Sequence, residues 1–109
     1  MRRGDLVTVA VSGDYGKPRP ALIVQSDAYA EHASVTILPI TSELRDVPLM
    51  RVTVEPGEET GLRLRSQVML DKATPIPRGK AGNRIGHLDE ITLTAVNGAL
   101  AAFLGIDRT

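Results

Sequence analysis

Short runs of β-branched residues, bounded by glycine, proline, aspartate and serine, constrain the fold of this chain more than any other feature. We interpret six segments as strands: residues 5–11, 20–25, 34–41, 49–56, 65–71 and, as a proline-broken edge strand, 73–80. The run 20–25, "PALIVQ", is apolar with little alternation, which predicts a central strand covered on both faces. Pro39 has no N–H to donate, which predicts an edge or a bulge at that position.

The hydrophobic period becomes helical only near the C-terminus. Asp89 is a suitable N-cap, and Gly105 is expected to end the helix. One apolar stripe contains Leu93, Val96, Leu100, Phe103 and Leu104. A second stripe of mostly small residues contains Ile91, Ala95, Gly98 and Ala102. Apolar residues on two sides predict packing against the sheet and against a second subunit, with deep burial in one chain as the alternative. Strands and helix together predict a mainly β fold. We expect a small antiparallel barrel of five to seven strands that is closed by a C-terminal helix.

Length and composition limit the class of protein. With 109 residues, 42% of them hydrophobic, the chain is expected to form one globular domain over residues 1–109. Zero cysteines exclude disulfides and thiolate metal sites. No apolar run approaches the roughly 20 residues that span a bilayer, and the N-terminal run is too short and alternating for a signal peptide. We therefore expect a cytoplasmic protein that does not associate with a membrane.

Familiar enzyme motifs are missing from the sequence. It has no cysteine nucleophile, CxxC, HExxH or GxxxxGK[ST] motif. His32 and His87 are far apart and lack acidic neighbours at ligand spacing, so we expect no metal and no other cofactor. His32 is interpreted as an exposed residue of a polar connection, and His87 as a surface residue before the helix.

The choice of basic residues is more informative than the net charge. The formal net charge is zero, which gives no electrostatic signature of duplex DNA binding. Of the thirteen basic residues, ten are arginines. Arginine presents a planar fork that suits phosphate, although the bias of a GC-rich genome would give the same count.

Arg19 stands between two prolines where a glycine-rich loop becomes a strand. The prolines restrict the backbone and so position the guanidinium at low entropic cost. The loop before it offers Tyr15 for stacking, Gly16 for backbone freedom and Lys17 for a second charge. This combination suits single-stranded nucleic acid. The alternative is that Arg19 caps the open end of the barrel.

Two hydroxyl residues end the third predicted strand, in "LPITSEL". Thr41 and Ser42 lie where the backbone turns toward solvent, so they could contact a ligand. They could equally be ordinary strand terminators.

The order of several motifs resembles one known family. The start "RRGDLVTV", the run "RPALIVQSD", the strand end "PITS", the segment "RSQVMLDKATPI" and the helix end "FLG" are together similar to PemK/MazF toxins of type II toxin–antitoxin pairs. The resemblance covers about residues 3–105. It implies a small SH3-like (CcdB/PemK-like) α+β barrel, a homodimer, and a cognate antitoxin as partner. It also implies sequence-specific, metal-independent cleavage of single-stranded RNA, such as mRNA.

The resemblance also implies roles for particular residues. Arg19 and Thr41 match the family's catalytic arginine and threonine. The loop 12–18 is similar to the one that folds over RNA, and the fifth predicted strand to one that lines the substrate groove. The residues expected to bind RNA are Tyr15, Gly16, Lys17, Ser42, Ser66 and Gln67.

Two departures from the family concern the general base. The family often carries an acidic residue just before the glutamine, where this chain has Ser66, and some members have a histidine in the first loop, where this chain has none. These departures weaken the expectation of a carboxylate or imidazole base and point to altered or reduced activity. Neither Arg19 nor Thr41 is a good base at pH 7, so turnover would rest largely on positioning and in-line geometry.

Two other classes of function are weighed against RNA cleavage. A CcdB-like toxin would bind DNA gyrase without catalysis, but that mode depends on a C-terminal Trp-Gly-Ile, and this chain has only "FLGID". A non-catalytic SH3-like interaction module is the third possibility, suggested by Ser66 in place of an acid.

Overall fold

The fold is an antiparallel β-structure followed by one helix. The computed structural model describes residues 1–10 and 17–106. Its strands are β1 (Asp5–Ala10), β2 (Pro18–Ile23), β3 (Ser34–Thr41), β4 (Arg51–Val54), β5 (Ser66–Met69), β6 (Thr74–Pro77) and β7 (Ala81–His87), and helix α1 is Glu90–Leu104. Single 3-10 turns occur at Asp27–Tyr29, Leu70–Lys72 and Arg78–Lys80. The expected mainly β fold with a C-terminal helix is confirmed.

Strand β3 belongs to two sheets and joins them. In the first sheet the order is β7-β1-β2-β3-β6, and in the second it is β3-β5-β4. One side of β3 pairs with β2. The other side pairs with β6 as far as Ile37 and with β5 from Ile40 onward. Pro39 lies between these two ladders, where no N–H is needed on that side. We expected Pro39 at an edge or a bulge; β3 is an interior strand, and the proline lies where one of its sides has no paired residue and changes partner.

The first sheet is strongly curled. Strands β6 and β7 lie on its opposite edges, yet only Arg78–Lys80 separate them in sequence. Five strands laid flat would span roughly 19 Å, because neighbouring strands lie about 4.8 Å apart. The connection from Pro77 to Ala81 would reach roughly 14 Å even if fully extended, and it contains a 3-10 turn. The edges must therefore approach each other, which gives the sheet its barrel-like form.

Two apolar cores lie on opposite faces of the first sheet. The curl core consists of Val7, Val9, Ala21, Ile23, Val35, Ile37 and Ile76. The helix-side core consists of Leu6, Leu22, Val24, Leu38, Ile40, Val54, Leu62, Val68, Leu70, Leu88 and Val96. Strand β2 supplies both cores through alternate residues, so the prediction of a central strand covered on both faces is confirmed.

The barrel is not closed by strand pairing within the described ranges. The turn after β4 instead reaches β7, where the His87 N–H donates to the Glu59 carbonyl at 2.8 Å. Glycines permit this approach: a Cβ on Gly86 would lie 2.2 Å from the Thr60 backbone, and one on Gly61, whose φ is +73°, would lie 2.0 Å from the Ile85 carbonyl oxygen. A side chain at either position would push this turn away from β7.

Strand β7 is the element that the sequence pattern does not predict. Its sequence, AGNRIGH, has a single β-branched residue and two glycines. Its pairing with β1 is irregular, with two register shifts. A Cβ on Gly82 would lie 2.5 Å from the Thr8 hydroxyl, so glycine is required where the two strands meet. Tertiary pairing, and not β-propensity, makes this segment a strand.

Helix α1 begins and ends as predicted. The Asp89 side chain accepts a hydrogen bond from the Thr92 N–H at 2.6 Å, and Gly105 adopts the left-handed conformation at φ 75°. Leu93, Val96 and Leu100 pack on the helix-side core. Phe103 and Leu104, at the end of the same stripe, are about half exposed in the chain. No helix in the described part of the chain is long and apolar enough to cross a membrane.

A buried carboxylate ties the N-terminal turn to β7. Asp5 is 3% exposed. Its carboxylate accepts hydrogen bonds from the Arg2 N–H at 2.8 Å and the Arg84 Nε at 3.0 Å, and it contacts His87 Nδ1 at 2.8 Å. His87 is therefore half-buried and engaged, not the simple surface residue expected. Burial alone would raise the pKa of Asp5, but the hydrogen bonds outweigh it and hold the pKa below its ordinary value of 3.8.

The Asp5 cluster predicts how stability depends on pH. Because the folded pKa is depressed, the carboxylate stabilises the fold fully above the ordinary pKa, and this contribution is lost as the pH falls through the lower folded value. We expect Asp5→Asn to lower the free energy of unfolding at pH 7 by about 1–3 kcal/mol. The difference between variant and wild type should shrink in acid. Urea unfolding at pH 7 and below pH 4 measures both, and a difference that is constant with pH would contradict the assignment.

Candidate active site

The pairing of β2 with β3 brings the two predicted catalytic residues to the same end of the sheet. Ala21 pairs with Pro39, and Ile23 pairs with Ile37. This pairing ends two residues before Arg19 and Thr41. Alternate residues of a strand lie on the same face, so Arg19 follows Ala21 and Ile23, and Thr41 follows Val35 and Ile37, on the face of the curl core.

A cavity of about 610 Å³ opens at this point. Its apolar wall comes from both cores and from neighbouring positions: Val9, Pro20, Ala21, Ile37, Pro39, Ile40, Leu62, Leu64 and Met69. Its polar groups are Arg19, Thr41, Ser42, Glu43, Arg63 and Ser66. An apolar cleft with a few convergent polar side chains is the usual form of a ligand site. We call it the site cavity.

The structure brings together four of the predicted site residues. Arg19, Thr41, Ser42 and Ser66 all line the site cavity. The Ser66 side chain is almost fully buried, and its hydroxyl donates to the Leu64 carbonyl at 2.9 Å, so it shapes the wall of the cavity. Of the predicted loop residues, Lys17 is exposed directly before β2. Tyr15 and Gly16 lie outside the described residues.

The Thr41 hydroxyl is oriented by the chain that follows it. Its Oγ1 accepts a hydrogen bond from the Glu43 N–H at 3.1 Å. The hydroxyl proton can still be donated, because a hydroxyl is one donor as well as an acceptor. Thr41 is half-buried, whereas Arg19 is exposed at the start of β2. The threonine therefore forms a fixed point at the cavity wall, next to a longer cationic side chain.

Gln67 does not line the site cavity but holds its rim. The side-chain amide accepts from the Arg45 N–H at 3.0 Å and donates to the Arg45 carbonyl at 3.1 Å. It also accepts from Arg51 Nη1 at 3.1 Å and lies 3.4 Å from the Thr53 hydroxyl. The residue is 8% exposed. These contacts fix the segment 42–46, which carries part of the cavity wall, so Gln67 serves the site indirectly.

Two charged residues of the cavity escaped the sequence analysis. Arg63 is an exposed second guanidinium, with no ion pair to any other described residue. Glu43 is the carboxylate of the cavity, and its Oε1 lies 3.0 Å from Arg45 Nη2. Neither residue has a signal in the sequence, because Arg63 lies among alternating arginines and leucines and Glu43 is a single acid in a turn. Only folding brings them to Arg19.

The described residues offer no cluster of three or more histidine, cysteine, aspartate or glutamate side chains that could hold a metal ion. His32 is exposed in the connection before β3, as expected. His87 contacts Asp5 in the cluster described above. The chemistry available in the site cavity is thus that of guanidinium, hydroxyl and carboxylate groups.

Fold and cavity together define a class: a small curled antiparallel β-domain with a helix, whose strand ends present an arginine and a threonine to a cleft of about 610 Å³. Residues 2–104 match the family model of the PemK-like, MazF-like toxin of type II toxin–antitoxin systems. The chain belongs to this family, and the expected resemblance is confirmed.

Individual relatives agree with this membership. The chain is 47% identical over 107 residues to the probable endoribonuclease MazF of Mycolicibacterium smegmatis, covering 97% of this chain and 98% of that protein. Its structure is similar to that of the Mycobacterium tuberculosis toxin MazF-mt6, with a TM-score of 0.80 and 26% identity over 94% of this chain and 98% of the other. A MazE–MazF complex from Deinococcus radiodurans matches with a TM-score of 0.78 and 26% identity, over 98% and 97% of the two chains.

The Gln67 contacts predict a structural role for this side chain. We expect Gln67→Leu, which keeps the approximate volume, to lower the free energy of unfolding by about 1–3 kcal/mol, because the part-buried hydrogen bonds to the Arg45 backbone and to Arg51 are lost. Ser42→Ala, at an exposed position, should change stability by less than about 0.5 kcal/mol. Urea unfolding measures both. Unchanged stability of Gln67→Leu, combined with weaker RNA binding, would instead make Gln67 a direct RNA contact.

Proposed function

We propose that this protein is a metal-independent, sequence-specific endoribonuclease that cuts single-stranded RNA, including mRNA, with Arg19 and Thr41 as its catalytic pair. The general class follows from the family and from the relative at 47% identity: the chain is an endoribonuclease toxin of a toxin–antitoxin system. The residue roles and the chemistry are the proposal. The observation that supports them is that Arg19, at the start of β2, and Thr41, at the end of β3, line one cavity.

Cleavage within RNA requires charge stabilisation more than it requires a metal. The 2′-oxygen attacks the adjacent phosphorus, negative charge accumulates on the phosphoryl oxygens, and the 5′-oxygen leaves. A guanidinium can hold two phosphoryl oxygens at once, which suits Arg19. The Thr41 hydroxyl can donate to a phosphoryl oxygen from its fixed position. Together they would keep the phosphate in the in-line geometry that the reaction needs.

The remaining polar residues of the cavity extend this phosphate site into an RNA groove. Ser42 and Ser66 lie on its wall, and Arg63 adds a second cation for a neighbouring phosphate. Lys17, with Tyr15 and Gly16, would contact the strand from the preceding loop. Bases that unstack in a single strand could lie against the apolar wall.

Partners follow from the family. The relative in Deinococcus radiodurans was solved in complex with MazE. By analogy, we propose that a cognate antitoxin binds this chain, and that a homodimer forms as the exposed stripe of Ile91, Ala95, Gly98 and Ala102 predicts. We further propose that residues 1–109 act as a single toxin domain in the cytoplasm.

Replacement of Arg19 tests the catalytic pair. We expect Arg19→Ala to lower the rate of RNA cleavage by at least about 100-fold, because stabilisation of the phosphoryl charge is lost. Arg19→Lys should recover little, since a point charge cannot reproduce the two-pronged contact. The control is Arg65→Ala, an exposed arginine that pairs with Glu55 outside the site cavity. Full activity of a folded Arg19→Ala protein would remove the central claim.

The products test the mechanism independently of any variant. Attack by the 2′-oxygen leaves a 2′,3′-cyclic phosphate and a 5′-hydroxyl, and no step requires a divalent ion. We expect cleavage to persist in excess EDTA, and a 2′-deoxy nucleotide at the cleavage site to block cleavage while binding is retained. Mass spectrometry of the fragments decides the matter. A 5′-phosphate product, or loss of activity on chelation, would overturn the mechanism.

A further inference from the structure

The proposed reaction needs a group that removes the proton from the 2′-hydroxyl. Arg19 and Arg63 remain protonated at any ordinary pH, and the hydroxyls of Thr41 and Ser66 are not bases. Among the described residues that line the site cavity, Glu43 carries the only carboxylate. Carboxylates are common general bases when they are held within reach of the proton.

The backbone of Glu43 is fixed next to the catalytic threonine. Its N–H donates to Thr41 Oγ1 at 3.1 Å, and its carbonyl accepts from Arg51 Nη1 at 3.1 Å. Arg51 is held in turn by Gln67, which also holds both backbone groups of Arg45. The turn that carries Glu43 is thus tied to β3, β4 and β5.

The side chain of Glu43 is oriented as well. Arg45 Nη2 lies 3.0 Å from Oε1 of Glu43. The other carboxylate oxygen, Oε2, has no hydrogen-bond partner in the ranges 1–10 and 17–106. The ion pair is exposed, so its direct contribution to stability is small. The geometric effect of this ion pair is that Arg45 occupies Oε1 of Glu43, whereas Oε2 can accept a proton.

We propose that Glu43 is the general base of the cleavage reaction, an assignment that rests on the proposed function. Its carboxylate takes the proton of the 2′-hydroxyl while the 2′-oxygen forms a bond to phosphorus. The bond from phosphorus to the 5′-oxygen breaks, and that oxygen keeps the electron pair and takes a proton from water. Glu43 then returns its proton to solvent. The charged groups around it are Arg45 and Arg51 from its own turn and β4, with Arg19 and Arg63 across the cavity.

The test is the pH dependence of cleavage by Glu43→Gln. We expect kcat/KM to fall by about 10²–10⁴-fold, the usual contribution of a general base. The rise in rate with pH on the acid side, which a carboxylate base produces, should disappear. RNA binding should be retained or tightened, because a negative charge is removed from the groove. The matched control is Glu55→Gln, since Glu55 also pairs with an exposed arginine, at 2.9 Å from Arg65, but lies outside the site cavity.

Arg45→Gln separates a base from a merely structural residue. It removes the ion pair and keeps the carboxylate, so the acid-side rise should remain while the rate falls by less than in Glu43→Gln. A folded Glu43→Gln protein with the wild-type rate, or with a reduced rate and an unchanged acid-side rise, would overturn the assignment while RNA cleavage itself stands. If the wild-type protein cuts no RNA, the proposed function fails instead.

Discussion

The antiparallel register between β2 and β3 is the constraint on which the site depends. It is fixed at Ala21–Pro39, Leu22–Leu38 and Ile23–Ile37, and all of these residues except the half-buried Pro39 are buried. A slip of one residue would turn each of these side chains toward the opposite face of the sheet. It would therefore disrupt the packing of both cores. Arg19 and Thr41 lie two residues beyond Ala21 and Pro39, the last of these pairs, so the packing of the strands restricts where both residues lie. The geometry of the site therefore depends on the packing of the two cores.

The walls of the site cavity form where strand β3 changes its pairing partner from β6 to β5. On one side of Pro39 it pairs with β6 and encloses the curl core, and beyond Pro39 it pairs with β5 and directs the chain toward the helix-side core. The site cavity opens where these two sheets diverge. This arrangement explains why an apolar wall and a polar rim meet there, and why the segment 42–46 needs Gln67 to hold it in place.

The charges of the site cavity are balanced in a particular way. Among the described residues, two guanidiniums, Arg19 and Arg63, and one carboxylate, Glu43, line the cavity, in a chain whose formal net charge is zero. A local excess of positive charge favours a phosphate backbone without a basic surface overall. The carboxylate would oppose RNA binding if it were free to approach the phosphates, and its ion pair with Arg45 partly neutralises it. A role in the reaction therefore explains the Glu43 carboxylate in this groove better than a role in RNA binding does.

The sequence by itself determined most elements and predicted the pair proposed as catalytic, because these depend on local signals. β-branched runs, the Asp89 cap, the Gly105 end and the proline-flanked Arg19 all act within a few residues, and the ordered motifs indicated the family. Strand β7, the change of partner at Pro39, the Asp5 cluster with His87, and the meeting of Glu43 and Arg63 with Arg19 were decided only by the tertiary structure. They join residues far apart in the chain through close backbone approach and burial, and neither composition nor periodicity carries information about such contacts.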